Sequence, residues 1–172
     1  CLFGHMFQWQ LAADAGDDNA FMFEADAFNQ YTVGLPFKDM QVLADNAPKG
    51  YDVIFFDMPR DMEFDAPVKT IENAEGEEIH IFAFNKKSSQ SGLSSTLVSK
   101  RFYPKLFKHV SHFGADVVDA MLKVQLCTDS MVDSSGKFKG FGAGNKPWLQ
   151  CYWALPAKGA KRHGTKYVYG KM

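Results

Sequence analysis

Lysines and arginines crowd the C-terminal half of this 172-residue chain, and together with the aromatic rings there they have the chemistry to bind a single-stranded nucleic acid. Such a ligand needs cations along its phosphate backbone and flat rings on which its bases stack. We predict phosphate contacts from Lys137, Lys139, Lys146, Lys161, Arg162 and Lys166. The predicted stacking surface comprises Phe82, Phe84, Trp148, Tyr152, Tyr167 and Tyr169. The expected function is non-enzymatic binding of single-stranded nucleic acid, such as single-stranded DNA, or of another polyanion.

A second group of cations stands near the start of a predicted helix. Lys105 and Lys108 fall in its first turns, where the helix dipole disfavours positive charge by roughly a few tenths of a kcal/mol. Lys100 and Arg101 come just before them. This placement is compatible with a site for an anionic partner, and the alternative is a solvated polar face of the helix.

Carboxylates offer a different chemistry and define an alternative hypothesis. Asp57, Asp61 and Glu63 follow an apolar segment closely, and hard oxygen ligands of this kind bind Mg²⁺. The alternative is therefore a metal-dependent nuclease or hydrolase. No motif marks a catalytic nucleophile, and we predict no catalytic residue, no metal site and no cofactor for the leading hypothesis.

Charge is sorted along the chain. Residues 1–80 hold 16 Asp and Glu against four Lys and Arg, a net of −12, and residues 81–172 hold 15 Lys and Arg against four Asp, a net of +11. Such asymmetry indicates either polyanion binding or association between opposite faces. A second alternative is therefore a self-assembling structural protein, a homo-oligomer whose acidic and basic faces pair head to tail.

Short strands and one helix must position these residues. Aromatic and β-branched segments between turn clusters predict strands at 21–23, 31–37, 51–57, 79–85, 124–132, 148–155 and 166–169. Apolar residues spaced three and four apart predict one main helix over about 104–123. We therefore expect an α+β fold with a mainly antiparallel sheet or a small oligonucleotide-binding (OB)-like barrel. A two-layer sheet-plus-helix sandwich is the alternative, and in either case we expect a single domain over 1–172.

Cysteine usage and hydropathy bear on location. Cys1, Cys127 and Cys151 are few and widely spaced, which predicts no disulfide framework and an intracellular, cytoplasmic, reducing compartment. No apolar run approaches the roughly 18 residues that span a bilayer, so we expect no membrane partner.

Overall fold

The computed structural model describes residues 2–24, 35, 37–57, 62–85, 93–128, 147–158 and 160–169. The helices are α1 (Leu2–Ala15), α2 (Phe37–Asp45), α3 (Phe102–Phe113) and a π-helix (Ala120–Leu126). The strands are β1 (Asn19–Phe23), β2 (Val53–Phe55), β3 (Met62–Phe64), β4 (Lys69–Glu72), β5 (Glu78–Ala83), β6 (Ser95–Ser99), β7 (Cys151–Pro156), β8 (Lys161–His163) and β9 (Lys166–Tyr169). The predicted α+β class is confirmed.

Two open sheets organise these strands. Six strands pair in the order β1-β6-β2-β7-β5-β4, and three more pair in the order β3-β9-β8. The pairing is antiparallel throughout except between β2 and β7, where Val53 lies opposite Cys151 in parallel register. A barrel requires its first and last strands to pair. Because β1 and β4 lie at opposite edges of the large sheet, the predicted OB-like barrel is wrong. The layered alternative fits the strands that the structure describes better.

The large sheet is buried on both faces. On one face Phe55 and Trp153 join Trp9 of α1, Leu106 of α3 and Phe64 of the small sheet in one core. On the other face the residues Ile54, Ile79, Ile81 and Ala154 pack with Met40 and Leu43 of α2 in a second core. Burial of apolar side chains on both faces, at roughly 1.5–3 kcal/mol for each large one, makes this sheet the central layer of the fold.

The predicted long helix is interrupted. Helix α3 begins at Phe102, close to the start that the helical spacing predicts. It ends before Gly114, whose φ of 77° lies in the left-handed region. The chain then re-enters a helix at Val118 and continues as the π-helix, so the strand expected at 124–132 is wrong over 124–128, and 129–132 lies outside the described residues. The strand expected at 31–37 is wrong at Phe37, where α2 begins; residues 31–34 and 36 lie outside the described residues.

The acidic and basic halves of the sequence interleave in the large sheet. Strand β6, from the basic half, lies between β1 and β2, and β7 lies between β2 and β5. This brings opposite charges together across the halves in the ion pairs Lys100–Asp18, Arg101–Asp52, Lys105–Asp52, Lys123–Asp57, Lys166–Glu63 and Lys166–Asp65. Carboxylates of the acidic half are therefore paired with lysines and arginines of the basic half within the same chain.

A disulfide joins Cys127, just after the π-helix, to Cys151, the first residue of β7, with 5.6 Å between their Cα atoms. The sequence had predicted isolated cysteines, because a separation of 24 positions matches no local motif. The argument for a reducing compartment loses its basis here, since disulfides are rare in the cytosol. Among the helices that the structure describes, none combines the length and the apolar character needed to cross a bilayer.

Candidate nucleic-acid interface

The predicted phosphate-binding residues are divided by the structure. Lys161 and Arg162 are exposed on β8. Lys166 on β9 binds Asp65 and lies 3.7 Å from Glu63, and the hydrogen bond to Asp65 raises the pKa of this lysine. Lys137, Lys139 and Lys146 lie outside the described residues. Of the three described cations, Lys161 and Arg162 have the more exposed side chains.

The predicted stacking rings do not share one surface. Phe82 of the large sheet and Tyr169 of the small sheet are buried where the two sheets meet, and Phe64 stacks on Phe82 with 4.6 Å between centroids. Phe84 is half-buried and stacks on Trp153 in the same core. Phe82 and Tyr169 are therefore not available to bases, and Phe84 packs on Phe55 and Trp153 of the large sheet.

The other three predicted rings are also partly exposed, and they lie on different parts of the fold. Tyr152 packs against the second core, on the opposite face of the large sheet from Phe82. Tyr167 lies on β9, with the Arg162 guanidinium 6.0 Å from its ring centroid. Trp148 lies beside α3, with the Lys108 ammonium 5.9 Å from its ring centroid. Two separate contacts between a cation and an aromatic ring therefore reach the surface, one on the β8–β9 hairpin and one at α3.

The contact at α3 belongs to a longer row of basic side chains. Arg101, Lys105, Lys108 and His112 are spaced four, three and four positions apart, which places them on one face of the helix. We call these four residues and Trp148 the α3 row. The first turn of α3 contains no acidic residue, and the side chain of Arg101 does not cap the helix. The free N–H groups of a helix start attract anions, so the backbone and the side chains here favour the same charge.

Trp148 is fixed beside this row by its own hydrogen bond. Its indole Nε1–H donates to the backbone carbonyl of Lys105 at 3.1 Å. The adjacent Leu149 is fully buried, and its N–H donates to the Leu126 carbonyl at 3.0 Å. The ring is thus oriented before any ligand binds, which lowers the entropy cost of using it as a stacking platform.

One buried carboxylate organises the base of the row. The Asp52 side chain has no exposed surface; it binds the Lys105 ammonium, accepts from the Gln150 backbone N–H at 2.8 Å and lies 3.7 Å from Arg101 Nε. Asp52 therefore lies beneath Lys105 and Arg101 at the base of the row, while the side chain of Arg101 is half-exposed and that of Lys108 is exposed.

The carboxylates of the nuclease hypothesis are not assembled by the described residues. Asp57 is buried and binds Lys123 and Ser95, whereas Glu63 is half-exposed and lies near Lys166. Asp61 lies outside the described residues. Within the described part of the chain, no three His, Cys, Asp or Glu side chains come close enough to hold a metal ion.

Sequence reasoning missed one buried charged residue and underused another group. Lys123, the last residue of the helix predicted over about 104–123, lies in the π-helix and is fully buried. The cations around Arg101 were noticed, but their meeting with Trp148 was not, since nothing in the sequence shows which side of the sheet residue 148 joins. Comparison of the chain with protein-family models, curated proteins and solved structures gave no match.

Proposed function

We propose that this chain binds single-stranded nucleic acid along the α3 row. The observation that carries the proposal is the Trp148 ring, held in place by the Lys105 carbonyl and flanked by the Lys108 ammonium. A base stacks on the ring while neighbouring phosphates follow Arg101, Lys105 and Lys108. This combination of ring and cation track is the one that sequence-tolerant single-strand binders use.

The sequence before Trp148 extends the same chemistry. Residues 134–146 contain Lys137, Lys139 and Lys146 and no carboxylate. Pro147 is the one residue between this segment and Trp148. Lys161, Arg162 and Tyr167 on the β8–β9 hairpin would form a second contact for a longer strand. An intracellular location remains a prediction, and the proposal does not depend on it.

Charge pairing between subunits receives less support. The carboxylates Asp18, Asp52, Asp57, Glu63 and Asp65 already meet lysines or arginines of the same chain. Salt-sensitive particles that scatter light without nucleic acid would favour self-assembly over the proposal.

The test is a titration of a fluorescently labelled oligothymidine at two salt concentrations. Stacking of one base contributes about 1–3 kcal/mol, so Trp148→Ala is expected to weaken binding by about 5- to 150-fold. Trp148→Phe retains a ring and should lose much less. Lys108→Ala should lower the slope of log K against log salt by about 0.7, the contribution of one phosphate contact in a single strand.

Lys38→Ala is the matched control for Lys108→Ala. Lys38 is also an exposed lysine on a helix, but α2 packs against the opposite face of the large sheet. Its removal should leave binding and salt slope unchanged. Absence of salt-dependent binding by the wild-type chain, or equal losses for Lys38→Ala and Lys108→Ala, would refute the proposal.

A further inference from the structure

A lysine and an aspartate are buried against each other between the large sheet and the π-helix. The Nζ of Lys123 lies 2.8 Å from Oδ2 of Asp57, and the two side chains are 1% and 6% exposed. Two charges withdrawn from water to this degree carry a desolvation penalty of roughly several kcal/mol each. A reaction that removes both charges would therefore relieve a cost that the folded chain otherwise bears.

The surroundings of the pair are aromatic. The ammonium lies 4.9 Å from the ring centroid of Phe55 and 4.8 Å from that of Trp153. Burial raises the pKa of Asp57, although Lys123 opposes the shift. A raised carboxyl pKa favours proton transfer from the ammonium to Oδ2, 2.8 Å away, and that transfer frees the lone pair of Lys123 as a nucleophile.

The second carboxyl oxygen of Asp57 is held by a separate set of donors. The backbone N–H of Ser95 donates to Oδ1 at 2.7 Å, and the Ser95 hydroxyl donates to the same atom at 3.3 Å. Lys123 bonds the opposite oxygen, Oδ2. Donors fixed on one oxygen of a carbonyl centre stabilise the negative charge that forms there when a nucleophile adds.

Asp57 and Lys123 are each held in place by the secondary structure beside them. Asp57 follows β2, at the centre of the large sheet. The π-helix that carries Lys123 is capped at its start by the Asp119 side chain and is followed by Cys127, which is bonded to β7. π-Helical turns concentrate at functional sites. Two reacting groups fixed in contact gain the effective concentration of an intramolecular reaction.

We propose that Asp57 and Lys123 condense to form an amide bond between their side chains, making this pair a site of self-modification. Nζ of Lys123 adds to Cγ of Asp57, and the negative charge that develops on Oδ1 is held by Ser95. The bond from Cγ to Oδ2 then breaks. Two of the three ammonium protons leave with Oδ2 as water, the third remains on the amide nitrogen, and no oxidant or cofactor takes part. Oδ1 becomes the amide oxygen and keeps its Ser95 donors.

The mass of the intact wild-type protein tests this directly. After reduction of the disulfide, the folded and then denatured chain should weigh about 18 Da less than its sequence requires, the mass of one water. Trypsin should fail to cut after Lys123, because an amide nitrogen is not a substrate. Peptide 50–60 should then appear covalently joined to peptide 109–137.

Variants separate this bond from other losses of water. Lys123→Met retains the length of the side chain but not the amine, and it should show the full mass. Ser95→Ala retains the backbone N–H and removes the hydroxyl, so the bond should still form, but more slowly. Should either variant fail to fold, the wild-type peptide map decides alone. Full mass with peptides 50–60 and 109–123 recovered separately overturns the proposal, as does a loss of water confined to one peptide.

Discussion

Breaking the disulfide between Cys127 and Cys151 should destabilise the fold without dismantling it. The two cysteines are 24 positions apart, and the loop that they close leads into Trp148. In the chain-entropy description, a cross-link stabilises the folded state by restricting the unfolded chain, and a loop of this length gives about 3.5 kcal/mol at 25 °C. The hydrogen bond from the Leu149 N–H to the Leu126 carbonyl remains and still joins the loop ends.

Urea unfolding of the oxidised and reduced protein measures this difference. Cys127 and Cys151 are 3% and 7% exposed, so reductant must be added in denaturant and the chain then refolded. With a urea dependence of roughly 2 kcal/mol per molar, the unfolding midpoint should fall by about 1.5–2 M.

The double variant Cys127→Ala/Cys151→Ala should unfold at a low midpoint whether reductant is present or not. Cys1→Ser, a change outside the bond, should behave like the wild type. Equal midpoints for the oxidised and the fully reduced wild-type protein would refute the reasoning, because the cross-link would then not change the free energy of unfolding.

Two further predictions, tested with three substitutions, concern the packing around the α3 row and α1. Burial raises the pKa of Tyr103 from 10.0 to about 12, so the unfolded chain ionises first and stability should fall as pH rises through this interval. Its hydroxyl is buried and finds no hydrogen-bond partner among the described residues, so Tyr103→Phe should melt no lower at neutral pH and should show a shallower alkaline decline. Gly50 has a φ of 79°, and a Cβ there would lie 2.7 Å from Nη1 of Arg101, so Gly50→Ala should lower the melting temperature. Gly4→Ala, in open space on α1, should raise it, since alanine in a helix is more stable than glycine by roughly 0.5–1 kcal/mol.

The outcomes that would contradict these two predictions are specific. An unchanged alkaline slope for Tyr103→Phe would mean that its ionisation is not linked to unfolding. Shifts of the same sign for Gly50→Ala and Gly4→Ala would mean that backbone conformation does not distinguish the two sites.

Alternation in the sequence identified several strands because both faces of the large sheet are lined with large residues. In β5 the residues Ile79 and Ile81 face one core and Phe82 faces the other, as period-two spacing requires. The same spacing could not show that the second face was buried. That depended on α2 and on the small sheet, which cover the two faces from distant parts of the chain.

Helix α1 was missed because its apolar residues point both ways. Trp9 is buried, whereas Phe3, Phe7 and Leu11 are 89%, 65% and 53% exposed. A helix with apolar side chains all round shows no period of 3.6 residues, so the pattern that revealed α3 was lacking. The π-helix escaped for a related reason, since its wider turns break the spacing of three and four.

Residue types at the candidate site were predictable, but their convergence was not. Lysines with aromatic neighbours indicated a polyanion, and the cations before and within α3 were visible in the sequence. Trp148 and Lys108 are 40 positions apart in the sequence. They meet because β7, which follows Trp148, pairs with β2 inside the sheet and does not lie at its edge. Pairing between distant strands depends on the whole fold, and local patterns carry no record of it.

The central position of β7 also determines when the large sheet can form during synthesis of the chain. Without Cys151–Pro156, the large sheet is two pieces, β1-β6-β2 and β5-β4, with nothing between them. A nascent chain that has left the ribosome as far as residue 150 therefore has no continuous sheet, and its aromatic surfaces remain open to chaperones or to neighbouring chains. Completion of the large sheet therefore requires β7, a six-residue strand that follows the other five strands of this sheet in the chain.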